Sequence, residues 1–136
     1  MAALAKTPAN VKASALATSI FKPAGVAIAA GDDVYIDANG VVQLGNNGAV
    51  GTVAQGKAGN TAAVGQPVQV VTQDPSFQHG LTGVVAGNTI WQHTTAGSST
   101  VTDADNTAGT FTTIMGTAIS ATLMKLNPIS SGVAHA

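Results

Sequence analysis

The sequence predicts a mainly β protein, a small β-barrel or sandwich-like domain with little helix and an extended N-terminal arm. Three observations lead there. Charged residues make up only 8% of the 136, against roughly 25% in an average soluble protein. Glu and Arg are absent, which removes the charge pairs at helical spacing that support exposed helices. From Gly25 onward, short apolar runs are interrupted by Gly, Asn, Asp or Pro about every 8–12 residues, the rhythm of a sandwich or barrel. With 45% hydrophobic residues the chain can fill one core rather than two.

Residues 1–22 form the expected arm, MAALAKTPANVKASALATSIFK. It carries Lys6, Lys12 and Lys22 and no acid, whereas the other two lysines and all six aspartates lie in residues 23–136. Pro8 and Asn10 interrupt any early helix, and VKASALATSIF reads as either a short helix or an extended segment, with Val11, Leu16, Ile20 and Phe21 as its few apolar anchors. As a free segment it is expected to be loosely ordered. A β-rich domain follows over 23–127, then a tail over 128–136. Expected strands are Val34–Ile36, Val41–Leu44, Ala49–Ala54, Pro67–Thr72, Thr89–His93, Ser99–Thr102, Thr110–Met115 and Ala118–Leu126. Asn39-Gly40 carries the strongest hairpin signal, because both residues tolerate the positive φ of a type I′ turn. Asn47-Gly48 repeats it.

The chain also echoes itself. Ala30-Gly31-Asp32-Asp33-Val34-Tyr35 returns as Ala86-Gly87-Asn88-Thr89-Ile90-Trp91. Downstream, Ala49-Val50-Gly51-Thr52-Val53-Ala54 is matched by Ile114-Met115-Gly116-Thr117-Ala118-Ile119. Each first piece reads as a glycine turn, a polar pair, and a strand opening on a β-branched residue and an aromatic.

That echo decides how the most acidic stretch, GDDVYIDANG, is read. Where the first copy has Asp32 and Asp33, the second has Asn88 and Thr89, which make the same turn hydrogen bonds but do not ionise near neutrality. Both aspartates are therefore expected to shape a turn. Asp37 starts DANGVV, with Gly one residue after Asn and no Glu anywhere, unlike a calcium loop. Asp103 and Asp105 belong to a Thr-rich loop. His79, His93 and His135 are too scattered for a metal motif. No GxSxG elbow and no phosphate-loop spacing occur. No enzyme, metal or cofactor is expected.

A net charge of -1 without arginine argues against nucleic-acid contact, which needs a basic surface. No apolar run reaches the ~18 residues of a membrane span, and no signal peptide is expected at the N-terminus. The absence of cysteine excludes disulfides and thiolate metal sites, so a small domain must find its staples elsewhere, oligomerisation among them.

The ordered pieces AGDDVYIDANGVVQL, AVGTVAQGKAGNTAAVGQPVQVV, GVVAGNTIWQ and IMGTAISATLMKL, spanning residues 25–126, resemble tailed-bacteriophage head decoration, or capsid cement, proteins. Met115-Gly116-Thr117-Ala118-Ile119-Ser120 is similar to the end of the lambda-type members. The resemblance implies a homotrimer on the outer surface of the virion capsid, made in the bacterial host cytoplasm. It would sit at three-fold and quasi-three-fold positions, holding subunits of the major capsid protein together, without nucleic-acid or membrane contact. It also implies an N-terminal arm that docks on the shell, often by adding a strand. Lys6, Val11, Lys12, Leu16, Ile20, Phe21 and Lys22 are then the expected arm contacts. Phe77, Leu81 and Trp91 are either trimer or capsid contacts or ordinary core residues. Two other readings remain: a glycan-binding adhesin using Trp91, Gln92 and His93, and a fibre or tail subunit.

Overall fold

A computed structural model describes residues 3–102 and 109–134. Asp103, Asp105 and His135 lie outside the described residues. Among those described there are nine strands: β1 (Thr18–Pro23), β2 (Asp33–Ile36), β3 (Val42–Leu44), β4 (Gly56–Ala58), β5 (Pro67–Gln78), β6 (Thr89–Gln92), β7 (Ser99–Thr100), β8 (Phe111–Ala118) and β9 (Leu123–Ala134). Among the described residues, helical structure is limited to short 3-10 turns at Pro8–Asn10 and Val50–Thr52. The mainly β fold with an N-terminal extension is as the sequence predicts.

The strands run in the order β3-β2-β4-β5-β9-β8-β6-β7, with β1 added to β5 off this path. That order is a palindrome of two four-strand units, β2 to β5 and β6 to β9, joined through the antiparallel pair β5–β9. The registers agree. Asp33 faces Lys57 and Val34 faces Gly56 in the first unit; Thr89 faces Thr117 and Ile90 faces Gly116 in the second. Lys57 and Ala58 then face Val71 and Val70, as Thr117 and Ala118 face Lys125 and Met124.

The repeated turns are the same turn. Gly31 and Gly87 both have φ +90°, a conformation open to Gly and rarely to other residues. The Ala29 N–H donates to Asp32 Oδ2 at 2.9 Å and the Val85 N–H to Asn88 Oδ1 at 3.0 Å. Gly31 and Gly87 donate to the carbonyls of Ala58 and Ala118 at 2.8 and 2.9 Å. The second half of the echo needs correction. Its true counterpart is Gly56-Lys57-Ala58, matching Gly116-Thr117-Ala118, while Ala49–Ala54 holds the 3-10 turn instead of a strand. Glycine is required at both matched sites, because a Cβ at Gly56 would collide with the Val71 carbonyl and one at Gly116 with that of Lys125.

The Asn39-Gly40 hairpin also differs from expectation. Gly40 has φ +76°, but no described non-glycine residue has positive φ, so the turn is not type I′. The Gly40 N–H bonds the Asp37 carbonyl and the Asp37 N–H bonds the Val41 carbonyl, both at 3.0 Å. This is a tight turn closed by a glycine bulge. At Gly48, the N–H is held by Asn46 Oδ1 at 2.9 Å, a local turn within a longer connection.

Each unit has its own core. Ala24, Ile28, Val34, Val42, Ala58, Ala62, Val68 and Val70 fill the first with small side chains. Larger residues, Phe77, Ile90, Met115, Met124 and Leu126, fill the second together with Val71, Leu81 and Val84. Leu4, Val11, Ala13 and Ala17 of the arm pack against this second core.

The arm is therefore part of the fold, not the loosely ordered segment expected. Its N–H groups at Leu4 and Thr7 donate to the Ser99 and Gly80 carbonyls at 2.9 and 2.8 Å, and Lys12 exchanges both backbone bonds with Gln78. Ser14 donates from N at 2.7 Å and from its hydroxyl to the Asp74 carboxylate. β1 then continues along β5, with Ile20 opposite Val70 and Lys22 opposite Val68. Of the short helix and the extended segment that the sequence leaves open here, the chain forms the extended one, because its regularity comes from β5, about fifty residues away in the chain, and not from its own alternation. Nor is there a structural break at 127/128: β9 continues to Ala134, with Ile129 opposite Ile114 and Ser130 opposite Thr113.

Candidate functional site

Two regions concentrate unusual chemistry: a buried charge network under the first turn, and an exposed apolar surface on the arm. The network starts from the repeated turn. Because Gly31 reverses the chain and β2 begins two residues later, at Asp33, Asp32 and Asp33 point to different surroundings. Asp32 meets Lys6 of the arm, with Nζ to Oδ1 at 2.5 Å, and Lys6 also donates to the Gly97 carbonyl at 2.8 Å. Asp33 points inward and meets Lys57 Nζ at 2.6 Å, both side chains being fully buried. Ser99, also buried, places its hydroxyl 3.0 Å from Nζ and 3.0 and 2.9 Å from the two Asp33 oxygens. Lys57 makes a further bond to the Gly31 carbonyl at 3.3 Å.

Burial pushes the Asp33 carboxyl up from its ordinary value, opposed by the Lys57 charge and by hydrogen bonds from Lys57 and Ser99. Ser99 and Lys57 have the contact of a serine–lysine nucleophile pair, yet both residues are fully buried, out of reach of an approaching substrate. The network is complete within the chain. His79, at the end of β5, accepts the Leu81 N–H on Nδ1 at 2.9 Å. Burial pushes its imidazole down, helped by the Lys57 charge and opposed by the Ser120 backbone. Among the described residues no three His, Cys, Asp or Glu gather to hold a metal, and no helix is long and apolar enough to cross a membrane.

The apolar surface centres on β1. Thr18, Ser19, Ile20, Phe21 and Pro23 are all exposed, so neither face of this edge strand is covered. Phe21 is 63% exposed and Leu16, just before the strand, 77%. Leu16 and Thr18 form one wall of an open groove of ≈ 240 Å³ whose other wall is Lys125, Leu126 and Asn127. At the far end of β9, Ile129 and Val133 are likewise exposed.

The expected site residues divide accordingly. Leu16, Ile20, Phe21 and Lys12 are all exposed, Ile20 and Phe21 on opposite faces of β1 as successive strand residues, and Lys22 is half-buried. Lys6 is occupied by Asp32. Val11 is half-buried, its methyl group filling the space above Gly31 and Gly80. Phe77 and Leu81 are core residues, which removes them as contacts to another molecule. Trp91 is half-buried in β6 between Thr100 and Ile114. Its neighbours Gln92 and His93 are buried, and Gln92 Oε1 is taken by the Ala54 N–H at 2.9 Å, so the three do not form an open sugar platform.

Lys57 and Ser99 are the residues that sequence reasoning missed. The signal was present in Gly56-Lys57-Ala58, which repeats Gly116-Thr117-Ala118 and so places Lys57 opposite Asp33. Comparison of the chain with protein-family models and with curated protein sequences gives no match.

Proposed function

We propose that this chain is a viral structural protein: a trimeric head decoration protein that binds the outer surface of a tailed-phage capsid and ties neighbouring subunits of the major capsid protein together. The observation that carries the reading is β1, an edge strand exposed on both faces with Leu16, Ile20 and Phe21 projecting from a surface poor in charge. An open strand edge is a template for pairing with another chain, and apolar or aromatic side chains around it supply most of the affinity in such contacts. The ordered sequence motifs over residues 25–126 support the same family. Action is mechanical. Each trimer bridges several shell subunits and raises the free energy needed to part them, opposing the pressure of packaged DNA, and three arms acting together gain from avidity.

Deleting residues 2–22 would strip Leu4, Val11, Ala13 and Ala17 from the core, so surface substitutions are the cleaner test. Leu16→Ser, Ile20→Thr and Phe21→Ser combined should leave the fold intact and weaken co-sedimentation with expanded empty capsids by about thirtyfold or more, the scale of one lost hot spot. Undiminished binding, or a native protein that is monomeric and ignores capsids, would reject the reading.

A further inference from the structure

The Asp33–Lys57 pair has more order than an ion pair needs. The two residues are register partners on adjacent strands β2 and β4, Lys57 Nζ is 2.6 Å from Asp33 Oδ1, and both side chains have no solvent exposure. Ser99 bridges amine and carboxylate, and the Gly31 carbonyl takes another amine proton. We propose that Asp33 and Lys57 condense into an intramolecular amide, an autocatalytic cross-link between β2 and β4.

The step is redox-neutral and needs no cofactor. Lys57 passes one proton through the Ser99 hydroxyl to the Asp33 carboxylate, leaving a neutral amine and a carboxylic acid. The Nζ lone pair then attacks Cγ, the C–N bond forms, and the C–OH bond breaks. A second amine proton leaves with that hydroxyl as water. Charge separation in a buried site is costly, and conversion to a neutral acid and amine, then to an amide, removes it. Strand register holds nucleophile and electrophile together, which supplies the large effective concentration that such a condensation requires. Burial also favours the protonated carboxyl.

The product is already solvated by the protein. The remaining Asp33 oxygen keeps the Ser99 hydroxyl, and the new amide N–H is aimed at the Gly31 carbonyl, so both polar atoms of the link have partners. In a chain without cysteine, such a bond staples the first unit in the manner of a disulfide, and reductants do not open it. The second unit holds Thr89 opposite Thr117 at the matching place and has no such chemistry.

Intact-mass spectrometry of the purified, denatured full chain tests this directly. The expected mass is lower than the sequence mass by one water. Trypsin should fail to cut after Lys57, and because Lys22 precedes proline, a single product from Ala13 to Lys125 should replace the two separate peptides. Lys57→Arg, which keeps the charge but not the nucleophile, should restore the full mass. In freshly synthesised protein, Ser99→Ala should slow the loss of water by at least about a hundredfold, the usual worth of a positioned proton relay. A native protein that keeps its full mass after prolonged incubation at neutral pH overturns the proposal. So does water loss with normal cleavage after Lys57, which is the mark of a succinimide at Asp33, or water loss that persists in Lys57→Arg. An unchanged rate in Ser99→Ala removes Ser99 from the step.

Discussion

The two four-strand units share one backbone plan and fill it differently. At the turn both need an oxygen acceptor three residues after a backbone N–H, and Asp32 and Asn88 supply it equally well. One position later the units diverge. The first places a carboxylate opposite an ammonium in the dry interior, Asp33 against Lys57; the second places Thr89 opposite Thr117, with Thr117 exposed. The cores differ to match, small aliphatics in the first and Phe, Met and Leu in the second. Turn geometry thus requires hydrogen bonding, not charge, and the charge at position 33 belongs to a separate feature that only the first unit possesses.

Breaking that feature should give the largest effect. Asp33→Thr alone leaves Lys57 buried without its counter-ion, at a cost of about 3–5 kcal/mol added to the loss of the proposed cross-link. Copying the uncharged unit fully, with Asp33→Thr and Lys57→Thr together, should recover part of this, because no buried charge remains. It should still fall below the native protein by about 3 kcal/mol, the loop entropy a cross-link of this span removes from the unfolded chain. Urea unfolding of the native, single and double variants reads all three. A double variant no more stable than Asp33→Thr would show that the unpaired ammonium is not what the single change costs.

What could be read in the sequence follows the same division. Strands β2, β3, β6 and β8 lie close to where apolar runs and turn residues place them, and the turn equivalence of Asp32 with Asn88 is visible in the letters. Asp33 was misjudged because its role depends on a strand partner twenty-four residues on, and a lone Lys in QGKAG reads as a surface charge. Gly51-Thr52 drew the repeat away from Gly56 because it resembles Gly116-Thr117 more closely in composition than in the space available. The arm's anchoring was hidden for a related reason: Val11 fits only because Gly31 and Gly80 leave room, and Ser14 is held only because Asp74 is aimed at it.

The matched glycines offer the next test of equivalence. Gly56→Ala and Gly116→Ala each drive a Cβ into the carbonyl of the neighbouring strand, so each should destabilise by about 1–3 kcal/mol, the range for overpacking. Gly51→Ala meets nothing within 4 Å and should be close to neutral. If Gly51→Ala proved as harmful as Gly56→Ala, the assignment of Gly56 to the repeat would be wrong.

A smaller effect is expected at the turn acceptors. Asp32→Asn keeps an oxygen for the Ala29 N–H, as Asn88 does for Val85, but gives up the Lys6 ion pair. Because this pair is partly open to solvent, the loss should be about 1 kcal/mol, and it should fade in high salt. Asn88→Asp, with no cation at the equivalent place, should change stability by less than about 0.5 kcal/mol. Equal losses in the two variants would mean that Lys6 contributes nothing to holding the arm.

The last contrast concerns pH. His79 lies just past the end of β5, where burial disfavours its protonated form. Its folded pKa is therefore below the ordinary 6.5. Above that value both folded and unfolded chains hold it neutral, and stability is unaffected by its titration. As pH falls below it, the unfolded chain binds a proton that the folded chain resists, so stability declines until the folded value is passed. Asp37 acts at lower pH. Its carboxylate is stabilised chiefly by the Gln43 amide, then by the Val41 and Asn39 N–H groups, and its contribution is lost only as pH falls below the ordinary carboxylate range. A Gln at position 79 cannot titrate, so His79→Gln should flatten the stability profile between neutrality and about pH 5 while leaving the drop at lower pH in place. A profile that keeps its upper step in this variant would assign that step to another group.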